Sequence, residues 1–471
     1  MRVRIYFYQL AAIAILLCSA TFPFADEPDF KIRILASGLS DPWSVVVAPS
    51  GQLWVTESKG YRLVKLDPQN GKRKVMLDLN SRREFPAFDQ MKGKGLTTPQ
   101  GGLMGLALHP DFEQDKAYVY LAYVYKYVSK NKFLLRLARY HYDAMRQTLD
   151  APEVICDTVP ASNDHNGGRL LIAPVKGKPY LFYAVGDQGS GQFSNGGTVN
   201  KAQRINSYEG KILRFSLEPS KDNSWIPSDN PDATSSSAVW SIGHRNPQGL
   251  TFTMLNGVER LYSSEHGPYS DDEINLIEKG KNYGHPLIIG YPDGNYNGLA
   301  ASVSKEEKYP GKWHTSYPLI TDEKRSADSI GLKYSPPVMS FYPTSSASLV
   351  SLFNKVQKDE KVEWPAYAPS GIAVYQSRAI PSWYQSLLIT SLKSGKLLRL
   401  KLNNDGTVNP KIFEYAASRA RYRDVAVSPD GKKIYLATDS SAITSGPTKE
   451  NPKATSQRGC ILELTIQSNR K

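Results

Sequence analysis

Apolar and polar positions alternate along this chain in short runs, and the runs return in a fixed order. One alternating segment leads into Pro or Asp-Gly, and a second follows. The unit reads WSVVVAPSG over 43–51 with QLWVT over 52–56, MGLALHPD over 104–111 with YVYLA over 118–122, and RLLIAP over 169–174 with YLFYA over 180–184. Later copies start at Gln248, Gly371 and Arg423, the last running DVAVSPDG over 424–431 and IYLA over 434–437. Period-two alternation predicts half-buried strands, and the Pro and Asp-Gly punctuation predicts the turns between them. Third strands are predicted at 62–66, 135–142, 211–215 and 396–401, with turn signals at 67–71 (DPQNG) and 403–406 (NNDG).

Six copies of one unit along the chain imply radial repetition. The expected fold is all-β, a six-bladed β-propeller of four-stranded antiparallel blades with long loops on one face. A pair of β-sandwiches is the alternative, and it leaves a repeat of this extent unexplained. The widest interval between copies runs from Gln248 to Gly371. Its sequence from 295 to 361 is polar and weakly periodic, and reads as a loop excursion with a short helix near Ser348–Val356 rather than as a separate domain. Long loops on a rigid scaffold are where function concentrates.

The first residues follow another pattern. Arg2 and Arg4 precede an apolar stretch over 5–17, then small residues at Cys18, Ser19, Ala20 and Ala25. This is expected to be a secretory signal peptide over 1–25, cleaved after Ala20 or Ala25, leaving one propeller domain over 26–471 in the periplasm or secreted. No other stretch is long and apolar enough to span a bilayer. Three Cys in 471 residues exclude a disulfide scaffold, and none has zinc spacing. Cys156 and Cys460 remain after cleavage, either paired or as two isolated thiols.

Tyr outnumbers Phe 28 to 15, and 35 Gly with 31 Pro supply turns, which suits a Tyr-rich strand fold. The net charge is +13. With no Lys/Arg-rich run and no nucleic-acid motif, the charge reads either as solubility or as a concentrated basic pocket.

In a propeller the lead-in to each innermost strand borders the central channel, so matched positions from different blades converge. Those positions hold Gln100, Asp164, His165, Asn166, Arg245, Asn246, Gln248, Lys393, Arg421 and Arg423. One imidazole among cations and amides is not a metalloprotease or a glycosidase carboxylate pair. It fits a general base beside a cradle for a polyanionic, carbonyl-bearing ligand.

Several motifs stand in one order: QGGLMGLALHPDF (100–112), DHNGGRL (164–170) with VGDQG (185–189), GHRNPQG (243–249), SEHGPYSDDEINLI (264–277) with GKNYG (280–284), SLKSG (391–395) and RYRDV (421–425). With these the chain resembles the soluble quinoprotein glucose/sorbosone dehydrogenases, six-bladed propellers that carry pyrroloquinoline quinone (PQQ). It is more similar to the bacterial soluble glucose-oxidising branch than to the shorter aldose sugar dehydrogenases. The resemblance implies PQQ- and calcium-dependent oxidation of an aldose at C1 to the lactone, by hydride transfer to the quinone. It makes His165 the general base, Asp187 the carboxylate that orients it, and Arg245 the cation beside the quinone oxygen. Gln100, Asp164, His165, Arg245, Asn246, Gln248, Lys393, Arg421 and Arg423 become cofactor contacts, and Gln100 and Trp364 substrate contacts. Calcium ligands fall on Gly267, Pro268, Glu273, Tyr283, Ile289, Tyr291 and Asp293, some through backbone oxygens. It also implies an aldose substrate, an unidentified electron acceptor and a possible homodimer, with no nucleic-acid partner.

One departure bears on substrate. Where the family's glucose enzyme has an aromatic residue three positions before the tryptophan, this chain has Lys361, and the same loop lacks that enzyme's paired cysteines. A calcium-dependent propeller lactonase would use carboxylates and Asn around one ion instead of this Arg/Lys set. A non-catalytic sugar- or protein-binding propeller would not need His165 and Arg245.

Overall fold

The computed structural model describes residues 27–80, 100–127, 132–232, 236–440 and 456–467. The segment expected to be a leader, 1–25, lies outside the described residues. The strands form six antiparallel sheets, five of them four-stranded and one five-stranded. The innermost strands are Pro42–Val47, Leu103–Leu108, Leu170–Val175, Pro247–Leu255, Pro369–Tyr375 and Tyr422–Val427. Each packs against the next, and the last packs against the first, so the sheets close into a ring of six blades. Every predicted first and third strand is present.

Ring closure uses the chain's beginning. Phe30–Ala36 pairs antiparallel with Ile461–Ile466 and supplies the outermost strand of the sixth blade, whose other strands come from the C-terminal end. Arg33 reinforces the seam with a 2.6 Å bond to Glu463. Separate apolar clusters fill the seams: Leu53, Val55, Tyr435 and Ile461 between the first and sixth blades, and Leu397, Tyr422 and Leu436 between the fifth and sixth. Cys156 and Cys460 are free thiols in different blades.

Residues from four blades meet in the channel. The Arg169 guanidinium bonds Asp424 at 2.7 Å, Ser44 at 3.0 Å and the Gln248 carbonyl at 2.8 Å, all buried. A buried cation is tolerable only with such pairing.

The 295–361 interval is more ordered than its pattern suggests. It holds helix α1 (Glu323–Ile330), helix α2 (Ser346–Gln357) and the strand Met339–Phe341, which completes the fourth blade. Only α2 was expected. Helix α1 is eight residues long and polar, so its signal reduces to the Asp322 carboxylate that caps the Arg325 amide. The excursion has its own core: Trp313 packs edge-on against Phe353 at 5.1 Å, with Tyr296, Leu299, Ile320 and Leu349 around them. Among the described residues no helix is long and apolar enough to cross a membrane.

Candidate active site

Two loops of the third blade build the centre of the site. Residues 161–169 enter its first strand, and residues 186–192 leave its second, which pairs with the first. Gly186 lets the loops touch, since a Cβ there would stand 2.1 Å from the His165 carbonyl oxygen. His165 adopts a left-handed φ of 47°, a conformation that costs energy in a non-glycine residue and that its surroundings must enforce.

The His165 Nδ1 lies 2.7 Å from Asp187 Oδ1. Asp187 is fully buried, and its other oxygen receives His285 Nε2 at 2.8 Å, the Tyr317 hydroxyl at 2.7 Å and the Asn200 amide at 2.9 Å. Burial alone would raise this carboxyl, but the two imidazoles outweigh it and hold Asp187 well below the ordinary carboxylate range. An ionised Asp187 only accepts, so His165 carries its proton on Nδ1 and presents an acceptor lone pair on Nε2.

That Nε2 meets Gln192. The Gln192 Nε2 lies 2.9 Å from His165 Nε2 and donates to Asp164 Oδ2 at 2.5 Å, while its Oε1 accepts from Arg245 at 2.8 Å. The imidazole and the guanidinium therefore share one amide. Arg245 also donates to the His266 carbonyl at 3.1 Å. Among the described residues, the buried polar atoms here without a hydrogen-bond partner include Arg245 Nε, Asn246 Oδ1, His266 Nε2, His285 Nδ1 and Gln188 Oε1. Unpaired buried polar groups are costly, and together they mark a place built for another molecule.

The other candidates arrange around this centre. Gln100 is tied to the His165 loop by a 2.5 Å bond from Asn166 to its carbonyl. Gln100, Gln248, Arg423 and Trp43 line a small cavity of about 30 Å³ over the channel. Arg245, Pro268 and Trp364 line a larger one of about 660 Å³ beside it. Lys393 reaches over the Trp364 ring at 4.4 Å and donates to its carbonyl. Burial lowers the Lys393 ammonium, and Asp272 and Glu363 oppose the shift. Arg423 clamps Asp439 through two bonds of 2.8 Å, and Arg421 reaches the same carboxylate at 3.4 Å. Lys361 is exposed.

The 267–293 stretch folds back on itself. Glu273 accepts the Gly290 amide at 3.0 Å and the Asn275 amide at 2.9 Å. Burial pushes the Glu273 and Asp271 carboxyls up, and Glu265 adds to the effect on Glu273. Glu323 gathers the amides of Ile289 and Gly294 at 2.9 and 3.0 Å, and burial pushes it up to about 7. The Tyr283 phenol is committed to the Leu276 carbonyl at 2.6 Å, which leaves only its backbone for a metal. Tyr291 and Asp293 are exposed. No cluster of three or more His, Cys, Asp or Glu with metal-binding geometry occurs among the described residues.

Several site residues escape sequence reasoning. Gln192 stands in a glycine- and serine-rich run, GSGQFSNGG over 189–197, which reads as a plain turn. Tyr317 comes from the weakly periodic interval and carries no motif. His285 and Asp439 gain meaning only from what they face.

The six-bladed propeller thus carries, in one place, a carboxylate-held imidazole and an arginine joined through one amide. The glucose/sorbosone dehydrogenase family model matches residues 39–319 and 352–444, and the chain belongs to that family. It is 32% identical to quinoprotein glucose dehydrogenase B of Acinetobacter calcoaceticus, over 96% of this chain and 94% of that one. It is 28% identical to an aldose sugar dehydrogenase of Escherichia coli strain K12, over 91% and 95%. The PQQ-bound aldose sugar dehydrogenase of Streptomyces coelicolor shares the fold, with a TM-score of 0.60 at 24% identity over 94% of this chain and 99% of that one.

Proposed function

We propose that this protein oxidises the C1 hydroxyl of an aldose to the lactone, using PQQ and calcium. The carrying observation is the single Gln192 amide that holds both His165 Nε2 and Arg245. His165 Nε2 accepts the Gln192 amide here, and its lone pair would take the hydroxyl proton once a sugar hydroxyl replaces that amide. Asp187 holds the ring in that tautomer and stabilises the imidazolium that forms. Arg245 places a fixed positive charge where negative charge develops, which needs no reorganisation during reaction. Gln192 sets the distance between the two, and its amide can turn from His165 to a sugar hydroxyl.

PQQ, when bound, supplies the electron sink for the hydride leaving C1. The residues present fit it: the partnerless Asn246 Oδ1 and Arg245 Nε are buried at the site. Lys393, Arg421 and Arg423 would bring three cations toward a ligand bearing three carboxylates. Gln100 and Gln248 border the same channel mouth. Trp364 lines the larger cavity and offers a flat apolar face to a sugar ring.

Calcium fits the 267–293 region, through the carbonyls of Gly267 and Pro268 and, further along, Glu273 with the backbone of Tyr283, Ile289 and Tyr291 and with Asp293. Among the described residues no Lys or Arg forms a salt bridge with Glu273 or Asp271, and a hard cation would relieve that buried charge. A periplasmic or secreted location and a dimer belong to the same proposal.

Reconstitution tests it. Apo-protein given PQQ and calcium should oxidise members of an aldose panel with an artificial dye as acceptor, and neither addition alone should suffice. No cofactor-dependent turnover with any sugar would overturn the reading.

A further inference from the structure

The third strand of the third blade opens with a fully buried lysine. Lys211 begins the strand Lys211–Phe215, and its ammonium donates to the carbonyls of Lys201 at 3.1 Å, Ala202 at 2.8 Å and Glu209 at 2.6 Å. The Glu209 carboxylate is taken by the Lys201 ammonium at 2.7 Å, and among the described residues no carboxylate forms a salt bridge with Lys211. Burial brings the Lys211 ammonium down to about 7, with Glu209 opposing the fall and Lys201 adding to it. Lysines are ordinarily left in water, and a buried one needs every donor satisfied. Three carbonyls drawn onto one ammonium also fix the chain that carries them.

That chain is the floor of the site. Lys211 pairs with Val185 on one side and with Ile242 on the other. Val185 ends the strand that runs into Asp187, and Ile242 ends the strand that runs into Arg245. Lys211 therefore stands between the two exits, and the loop it gathers joins them. The Ala202 carbonyl also accepts the Gly243 amide at 3.0 Å, and the Gly210 amide donates to the Gly186 carbonyl at 2.9 Å. Gly210 permits the crowding, since it has a φ of 67° and a Cβ there would stand 2.6 Å from the His244 carbonyl oxygen. Asn200, one residue before the gathered carbonyls, donates to Asp187 Oδ2 at 2.9 Å. Gln203, one residue after Ala202, donates to the His285 carbonyl at 2.7 Å, and His285 is a further donor to Asp187.

We propose that Lys211 is a positioning residue for the reaction: by gathering three carbonyls of the 201–209 loop it holds Asn200 on Asp187 and keeps the loops of Asp187 and Arg245 in register. It lines neither cavity and acts through these loops. The proposal rests on the roles given above to His165 and Arg245, and adds the group that aligns them.

Two measurements test it. Lys211→Met keeps an apolar stem and removes the donors. In the PQQ- and calcium-loaded enzyme, kcat for the aldose turned over fastest should fall about tenfold, with KM changed less than about twofold. Lys211→Ala leaves the three carbonyls facing an open space. Propylammonium, the part of the side chain removed, should restore kcat there more than sodium chloride at equal ionic strength does, and should not act on Lys211→Met. A lysine needed only for stability would lower the unfolding midpoint without this rescue. The second measurement follows His165 by NMR of ring-labelled histidine, with no sugar present. In Lys211→Met it should titrate at higher pH than in wild type, because Asp187 loses the Asn200 donor and leans on the imidazole instead. Asn200→Ala should shift it the same way, and the two shifts should not add in the double variant. The other charged and titratable groups around His165, namely Asp164, Arg245, His266 and His285, are unchanged in all of these variants. Wild-type kcat in both Lys211 variants, a loss that propylammonium does not restore, or an unmoved His165 would overturn the proposal. Where neither Lys211 variant folds, Asn200→Ala decides it, and an unmoved His165 there overturns it. The titration needs no turnover, so the proposal and the oxidation can fail separately.

Discussion

At the residue scale, Asp187 governs the site. One carboxylate collects two imidazoles, a phenol and two amides, and each donor draws charge from it. Its carboxyl lies below its ordinary value in the fold, so it contributes stability above the unfolded carboxylate value near 4, and that contribution is lost as pH falls through the folded value. Asp187→Asn should therefore be less stable than wild type at neutral pH, and denaturant titrations should show the gap narrowing below about pH 4. A gap that stays constant into acid would contradict the assignment. Tyr317→Phe removes a single donor with little change of shape. The carboxylate then leans harder on His165, and the acid limb of the pH–rate profile should move to higher pH. An unmoved limb would mean the phenol does not act through Asp187. The sequence made His165, Asp187 and Arg245 legible because they sit in motifs whose order can be matched. It left Gln192, Tyr317 and His285 unread, because hydrogen-bond partners chosen by tertiary contact leave no periodic trace.

At the element scale, the innermost strands were readable from alternation, and four of the six are punctuated by Pro or Asp-Gly, with Asn256-Gly257 closing a fifth. The outermost strands were harder. Phe30–Ala36 looks like a short amphipathic run of no fixed partner, and its place in the sixth blade depends on ring closure. This strand gives a direct test. Leu35 is 6% exposed and Ile32 is 38% exposed on the same strand. Leu35→Ala should cost roughly 2–5 kcal/mol and Ile32→Ala much less, as read by thermal or urea unfolding. Equal effects would mean that the strand does not close the ring as described. The excursion between the fourth and fifth blades was read as a loop because its apolar residues pack on one another out of register with any single period. Trp313, Phe353 and Leu349 reveal a small core only in three dimensions.

At the scale of the whole molecule, the ring brings stretches more than 250 residues apart to one mouth, as the bond from Arg169 to Asp424 already illustrates within the channel. The chain as a whole carries a net charge of +13, a field that attracts anions to the molecule. The rate of reoxidation by an anionic acceptor such as ferricyanide should therefore fall as ionic strength rises, while a neutral dye should respond little. The same response for both acceptors would argue that the charge serves solubility alone.

The most direct test of the mechanism removes the imidazole and leaves the cradle. In His165→Ala, reconstituted with PQQ and calcium, aldose turnover should fall by at least about a hundredfold while PQQ affinity, measured by absorbance titration, stays near that of the wild type. Turnover at the wild-type rate in that variant would contradict the assignment of His165 as the base.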